Sequence, residues 1–187
     1  MKLDKTGRTE LRRTFLVEAL PESVDRRSEH LQIFDNYIHE TRLRLRSIRV
    51  PATKECRRLL QKRYAAGEHG TELVTEEIQF NEAEYKHFKM FEGNEIRKNR
   101  YIAEFGGREF EFDVYLGPLT GTVLARVKFA DRAEMDKFAA PSFAVIEVSD
   151  VPFFDGPHLV DRNFEDVQEE AGRLKASAAA AMAGTAD

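Results

Sequence analysis

The chemistry-bearing feature that stands out in this sequence is an alternating run, Arg-Leu-Arg-Leu-Arg, at residues 42–46. In a β-strand successive side chains point to opposite faces, so Arg42, Arg44 and Arg46 would line one face and the two leucines the other. Guanidinium groups match the oxygens of phosphates and carboxylates, and unpaired charges are costly to bury. The run alone favours a solvated face paired with acidic neighbours, and a phosphate-binding surface is the alternative.

Other charged side chains also recur two residues apart, which places them on one face of a strand. The rows are Lys98 with Arg100, Glu111 with Asp113, and Arg126 with Lys128. If such rows point inward, the strands enclose a hydrophilic tunnel, and helices must cover the apolar outer faces.

The elements that position these rows are mostly strands. Strands are predicted over 11–17, 34–50 with a turn near Glu40, 54–64, 73–80, 96–105, 108–116, 122–129 and 143–149. Helices are predicted over 22–30, after Asn81, after Asp131 and over 165–175, and an alanine-rich disordered tail over 176–187. Many strands in meandering order with few helices predict an α+β fold, a closed antiparallel β-barrel with flanking helices.

Composition narrows the class of protein. The chain has 187 residues, enough for one well-cored domain. Its net charge of −4 hides an asymmetry, because residues 1–63 carry +7 and the remainder −11. An acidic chain without a lysine-rich arm is a weak candidate for nucleic-acid binding. No apolar run has the length of a membrane span, and a single cysteine, Cys56, excludes a disulfide framework, so a cytoplasmic protein without a membrane partner is expected.

Several strand motifs occur in a consistent order between residues 8 and 164. They are Glu-Leu-Arg-Arg-Thr-Phe-Leu-Val at 10–17, Arg-Leu-Arg-Leu-Arg at 42–46, Leu-Gln-Lys at 60–62, Thr-Glu-Glu-Ile at 75–78, Arg-Lys-Asn-Arg-Tyr at 97–101, Glu-Phe-Asp-Val-Tyr-Leu-Gly at 111–117, Leu-Ala-Arg-Val-Lys-Phe at 124–129 and Ile-Glu-Val-Ser at 146–149. This set resembles the CYTH superfamily, the triphosphate tunnel metalloenzymes, which includes class IV adenylate cyclases, thiamine triphosphatases and inorganic triphosphatases. The resemblance implies a tunnel domain over 1–164, followed by a C-terminal helix and tail over 165–187.

The resemblance also implies a site. Cations from separate strands would hold the triphosphate oxygens, and carboxylates would coordinate Mg²⁺ or Mn²⁺, hard cations that prefer oxygen ligands. The implied phosphate-holding residues are Arg44, Arg46, Lys62, Lys98 and Arg100. The implied carboxylate set is Glu10, Glu77, Glu111, Asp113 and Glu147.

The departures from the family pattern bear on the metal. Arg12, Arg126 and Lys128 stand at positions where the family has glutamates. Cations repel a divalent ion, so a family-type metal site is disfavoured. Two interpretations remain open: these three residues join the phosphate-binding set and replace the metal's charge, or they pair with Glu10, Glu111 and Glu147 and fill a defunct tunnel.

The leading hypothesis is a protein that binds a triphosphate, nucleotide or other polyphosphate in a basic tunnel, with metal-dependent turnover weakened or lost. One alternative is an active Mg²⁺- or Mn²⁺-dependent triphosphatase, acting on inorganic triphosphate or thiamine triphosphate, or a class IV adenylate cyclase. The other is a non-catalytic structural protein whose interior charges pair. The sequence leaves the catalytic residues and the oligomeric state open.

Overall fold

The computed structural model describes residues 7–67, 70–91 and 93–184, whose strands join in one sheet. The strands are β1 (Arg8–Val17), β2 (Leu31–Ile38), β3 (Leu43–Arg49), β4 (Cys56–Ala65), β5 (Glu72–Phe80), β6 (Gly93–Phe105), β7 (Arg108–Tyr115), β8 (Val123–Phe129) and β9 (Ala144–Glu147). The helices are α1 (Glu82–Phe88), α2 (Arg132–Asp136), α3 (Gly156–Leu159) and α4 (Phe164–Gly184), with 3₁₀ turns at Gly117–Leu119 and Pro152–Phe154. Within these ranges, no helix combines the length and the apolar character needed to cross a lipid bilayer.

The first eight strands close into an antiparallel barrel. Neighbouring strands follow the order β5-β4-β3-β2-β6-β7-β8-β1, and β1 then pairs with β5. One edge of β1 pairs with β8 over residues 11–17, and the other pairs with β5 over 8–11 and with β9 over 15–17. Closure gives the barrel strands a partner on both edges. The predicted α+β fold with a closed antiparallel barrel and flanking helices is confirmed.

Strand alternation separates the charged interior from an apolar outer face. On β1, Arg12 faces inward, whereas Phe15 packs outside in an aromatic cluster with Phe110 and Phe112. Helix α2 covers this cluster through Met135. The tunnel wall is therefore one sheet thick, and its outer side forms the main apolar core.

A second apolar cluster plugs one end of the barrel. Inward-facing side chains of β1, β6 and β8 meet side chains of α3, α4 and the second 3₁₀ turn there, and the cluster includes Leu16, Ile96, Leu124, Phe154, Leu159, Val167 and Ala171. These side chains are all less than 8% exposed. The plug attaches the first turns of α4 to the barrel and confines the polar interior to the remaining length of the strands.

Local sequence signals account for the element boundaries. Asn81 and Glu84 form the predicted capping box at the start of α1, and the Asp131 side chain accepts from the Glu134 amide, 2.8 Å away, at the start of α2. The Gly-Gly turn between β6 and β7 has positive φ at Gly106 and Gly107, as a tight hairpin requires.

Two helix predictions differ from the structure. The helix predicted over 22–30 is wrong: the segment forms turns, in which the Asp25 side chain accepts from the Arg27 amide at 2.8 Å and competes with helical bonding. Helix α4 continues to Gly184 through the alanine-rich stretch that was expected to be a tail, because alanine is the strongest helix former. Residues 185–187 lie outside the described residues, and the division into domains at residue 164 stays a prediction.

Candidate functional site: an arginine-lined tunnel

Two adjoining cavities of about 310 and 320 Å³ occupy the polar interior of the barrel. Five arginines from four different strands line both cavities; we call them the arginine ring, and they are Arg12, Arg44, Arg46, Arg63 and Arg100. Beyond the ring, one cavity ends against α3 and the other ends at three glutamates. The site is therefore a passage whose middle is lined by guanidinium groups.

A buried carboxylate on β2 holds one side of the ring. Asp35 lies directly opposite Arg46 in the β2–β3 register and accepts two hydrogen bonds from it, both of 2.6 Å. Arg44 lies 3.6 Å from the same carboxylate and donates to Gln61 at 2.9 Å. Burial alone would raise the pKa of Asp35, but the charges of Arg46 and Arg44 hold it well below its usual range. Asp35 is therefore ionised and orients the two arginines.

A second buried carboxylate, Asp113 on β7, holds the other side. It accepts from Lys98 at 2.6 Å, from Arg100 at 2.6 and 2.9 Å, and from Arg126. Burial opposes ionisation of Asp113, yet these neighbouring cations, Arg100 foremost, hold its pKa well below the usual value. Arg126 also donates to the buried Tyr115 hydroxyl at 3.4 Å. A single carboxylate thus pairs with three cations and offsets only part of their charge.

Two arginines of the ring lack such a partner. Arg12 is buried, and its one ion pair among the described residues is to Asp155 at 3.9 Å, beyond hydrogen-bonding distance. Burial and the charge of Arg126 lower the pKa of Arg12 to about 10. Arg63 faces both cavities without a carboxylate partner in the described chain, and burial together with Arg12 and Arg44 lowers its pKa well below the usual value. Within the described residues, the ring therefore has positive charge that no carboxylate at hydrogen-bonding distance offsets.

The glutamate end of the tunnel is more evenly balanced. Glu111 contacts Arg100 at 2.6 Å and Lys128 at 2.5 Å, and Lys128 lies 3.5 Å from Glu10. Glu77 accepts from Gln61 at 2.8 Å. Glutamates and cations thus alternate around this opening.

The segment from Pro152 to Asp161 forms the opposite end. Gly156 packs against the ring of Tyr37, where a Cβ atom would lie 1.7 Å from the tyrosine oxygen, so this approach requires glycine. The contact places Asp155 beside the cavity and brings its carboxylate toward Arg12. A half-exposed acid therefore stands next to the unpaired charge of the ring.

Solved structures share this barrel architecture, whereas sequence comparisons find no match. No protein-family model and no curated protein matches the sequence. A crystal structure of the hypothetical protein NE1496 aligns with a TM-score of 0.57 and 22% identity, over 82% of this chain and 99% of that one. A crystal structure of the inorganic triphosphatase NE1496 aligns with a TM-score of 0.56 and 23% identity, over 81% and 93%. The chain has a CYTH-like fold. Because a fold hosts many functions, the activity has to be argued from the side chains.

The carboxylates expected to bind metal in this CYTH-like tunnel do not fit Mg²⁺ or Mn²⁺. Asp113 already accepts from three cations, and Glu111 contacts two. Glu147 lies outside the barrel, where it contacts Arg13 and accepts from Ser149 at 2.6 Å. Across residues 7–67, 70–91 and 93–184, no group of three or more His, Cys, Asp or Glu is arranged to hold a metal ion. The set of five acids does not converge on one point.

Most of the cations that the motif resemblance implied lie inside the barrel. The structure places Arg12, Arg44, Arg46, Lys98, Arg100 and Arg126 in the interior, with Lys128 at the glutamate end, 44% exposed. Arg42, at the start of the sequence run, is exposed and stacks over Tyr64 at 5.7 Å. Of the cations that stand in place of glutamates, Lys128 contacts Glu111 and Glu10, two of the acids named in the pairing interpretation, whereas Arg126 pairs with Asp113.

The structure corrects the prediction that Lys62 holds phosphate inside the tunnel. Strand alternation in β4 directs Gln61 and Arg63 toward the cavities and Lys62 to the opposite face. The motif resemblance pointed to Lys62, one residue from the position that faces the tunnel. Arg63 and Asp35 are the site residues that sequence reasoning missed. Gln61 and Arg63 lie two residues apart in the sequence, and this spacing could have predicted that Arg63 faces the tunnel. The residues next to Asp35 in the sequence give no comparable signal.

Proposed function

We propose that this protein binds a polyphosphate, either inorganic triphosphate or the triphosphate group of a nucleotide, at the arginine ring of its CYTH-like tunnel. The observation that carries the proposal is that Arg12 and Arg63 face the interior with no carboxylate at hydrogen-bonding distance in the described chain. Phosphate oxygens accept the paired N–H groups of guanidinium in a geometry that matches them closely.

The charge balance supports a ligand with several negative charges. Seven interior cations, the ring together with Lys98 and Arg126, face two fully buried carboxylates, Asp35 and Asp113. Glu111 reaches one of these cations from the glutamate end. A single phosphate would leave part of this excess unmatched, whereas a triphosphate spans several guanidinium groups at once. The name of the NE1496 triphosphatase supports the same class of ligand.

We propose further that metal-dependent turnover is weakened or lost. The reason is the engagement of Asp113 and Glu111 with cations, together with the finding that no group of three or more His, Cys, Asp or Glu in the described part of the chain is arranged to hold a metal ion. We also keep the cytoplasm as the proposed compartment, since the exposed free thiol of Cys56 suits a reducing environment.

The test combines binding with turnover on the full chain. Inorganic triphosphate is titrated into the protein by calorimetry in EDTA, and phosphate release from triphosphate, thiamine triphosphate and ATP, with cyclic AMP formation, is measured with Mg²⁺ or Mn²⁺. Saturable binding of one triphosphate per chain with no turnover at enzyme-like rates, about 1 s⁻¹ or more, is the expected result. The absence of binding would show that the interior charges only pair with one another. Fast turnover would establish the metal-dependent enzyme instead.

A further inference from the structure

Two buried guanidinium nitrogens in the tunnel have no hydrogen-bond partner among the residues that the structure describes. They are the Nε atoms of Arg12 and Arg126, and both belong to side chains less than 9% exposed. Buried N–H groups are almost always paired in folded proteins, because an unpaired one loses its hydration without compensation. Leaving these two donors unpaired is therefore energetically unfavourable.

The two arginines lie together. Arg12 pairs with Lys128 and Thr14 pairs with Arg126 in the β1–β8 register, so Arg12 and Arg126 are diagonal neighbours on the inner face of adjacent strands. Both line the cavity that ends at α3. The remaining nitrogens of Arg126 are occupied by Asp113 and Tyr115, which fix its orientation. The two guanidinium groups thus lie beside each other against one region of the cavity.

The described residues around the two arginines offer a divalent cation too few free carboxylate ligands. The carboxylate nearest to Arg126 is Asp113, which already binds three cations. Asp155, the carboxylate nearest to Arg12, stands alone at 3.9 Å and is half exposed. A metal bound there would face two guanidinium charges with at most one available ligand, whereas Mg²⁺ prefers several oxygen ligands.

We propose that the tunnel recognises its polyphosphate in the metal-free form, and that Arg12 and Arg126 supply the positive charge that a divalent ion would otherwise bring to the phosphates. The inference rests on the proposed function. It adds that the ligand is the free polyanion, so that complexation of the ligand by Mg²⁺ competes with the protein.

The experiment is a calorimetric titration of inorganic triphosphate into the full chain, with EDTA in one series and excess Mg²⁺ in the other. Sodium chloride equalises the ionic strength of the two series, because screening alone weakens the binding of anions. A third titration adds MgCl₂ to the protein without triphosphate. We expect no binding of Mg²⁺ alone. We expect an apparent Kd for triphosphate at least about tenfold higher with Mg²⁺ than with EDTA, because Mg²⁺ withdraws free triphosphate from the protein.

Two variants test whether Arg12 and Arg126 bind the triphosphate. Arg12→Gln and Arg126→Gln should each raise the Kd measured in EDTA by about 10- to 100-fold, whereas Arg49→Gln, at an exposed position of β3, should leave it unchanged. Thermal unfolding without ligand verifies that each variant is folded, and Arg12→Gln is the safer of the two because its side chain has no hydrogen bond in the described chain.

Different outcomes would overturn metal-free recognition and polyphosphate binding. Binding that requires Mg²⁺ or tightens with it, binding of Mg²⁺ by the protein alone, or an unchanged Kd in folded Arg12→Gln would overturn metal-free recognition and leave polyphosphate binding standing. The absence of triphosphate binding in both series would overturn the proposed function itself.

Discussion

The replacement of Arg63 by glutamine should have opposite effects on stability and on binding. Without ligand, Arg63 is a cation held among Arg12, Arg44 and Arg46, and their charges help to lower its pKa. Two like charges about 10 Å apart at an effective dielectric constant of about 20 repel by about 1.7 kcal/mol before ionic screening. Arg63→Gln should therefore raise the free energy of unfolding by about 1 kcal/mol, which raises Tm by about 2 to 4 °C for a chain of this size.

The same Arg63→Gln replacement should weaken the binding of triphosphate. A hydrogen bond to a charged group contributes about 1.5 to 3 kcal/mol, so the loss of Arg63 should raise the Kd by about 10- to 150-fold. Calorimetry measures the Kd, and a thermal melt of the unliganded protein measures Tm. Lys62→Gln is the matched control, because it removes a neighbouring charge on the opposite face of β4.

Either of two results would refute this reasoning. A Tm lowered by several degrees with an unchanged Kd would mean that Arg63 stabilises the fold through pairing. A loss of binding in Lys62→Gln with none in Arg63→Gln would mean that β4 presents its other face to the ligand.

Three further predictions follow from the carboxylates around the ring. Asp155→Asn should tighten triphosphate binding up to about fivefold in calorimetry, since Asp155 is half exposed and 3.9 Å from Arg12, and such a loose, solvent-screened ion pair is worth at most about 1 kcal/mol; weaker binding would show that Asp155 orients Arg12 instead. Asp113→Asn should lower the free energy of unfolding in urea by about 3 to 5 kcal/mol, because buried Lys98 and Arg126 lose their counterion and Arg100 loses one of two, and a change below about 1 kcal/mol would contradict the pairing. The pKa of both Asp35 and Asp113 is lowered in the folded protein, so their contribution to stability is complete above about pH 4 to 5 and is lost as the pH falls toward their native pKa values. Unfolding in urea between pH 6 and 3 should show this loss, and Asp35→Asn should flatten it; an equal slope in the variant would contradict the assignment.

The barrel could be predicted because its signals are short-range. Charged residues two positions apart, such as Lys98 and Arg100, mark a strand face whatever the strand later packs against. The Gly106-Gly107 turn and the capping box at Asn81 each lie within a few residues of sequence. Many strands in meandering order with few helices then predict a closed barrel.

The missed features depend on register and on distant partners. A shift of one residue in a strand exchanges its faces, so the motif match at Lys62 selected the outer side chain and passed over Arg63. Asp35 became a site residue because β2 and β3 bring it opposite Arg46, a pairing that no local pattern specifies. The motif resemblance implied a metal ligand at Asp113, and its role as a counterion follows from Arg126 on the neighbouring strand.

The central claim is that the arginine ring holds a polyphosphate, and a crystal structure of the protein grown with inorganic triphosphate tests it most directly. The account predicts phosphate groups inside the barrel within hydrogen-bonding distance, about 2.7 to 3.2 Å, of Arg12, Arg63 and Arg126. Triphosphate bound only on the outer surface, with an unchanged tunnel, would contradict the account.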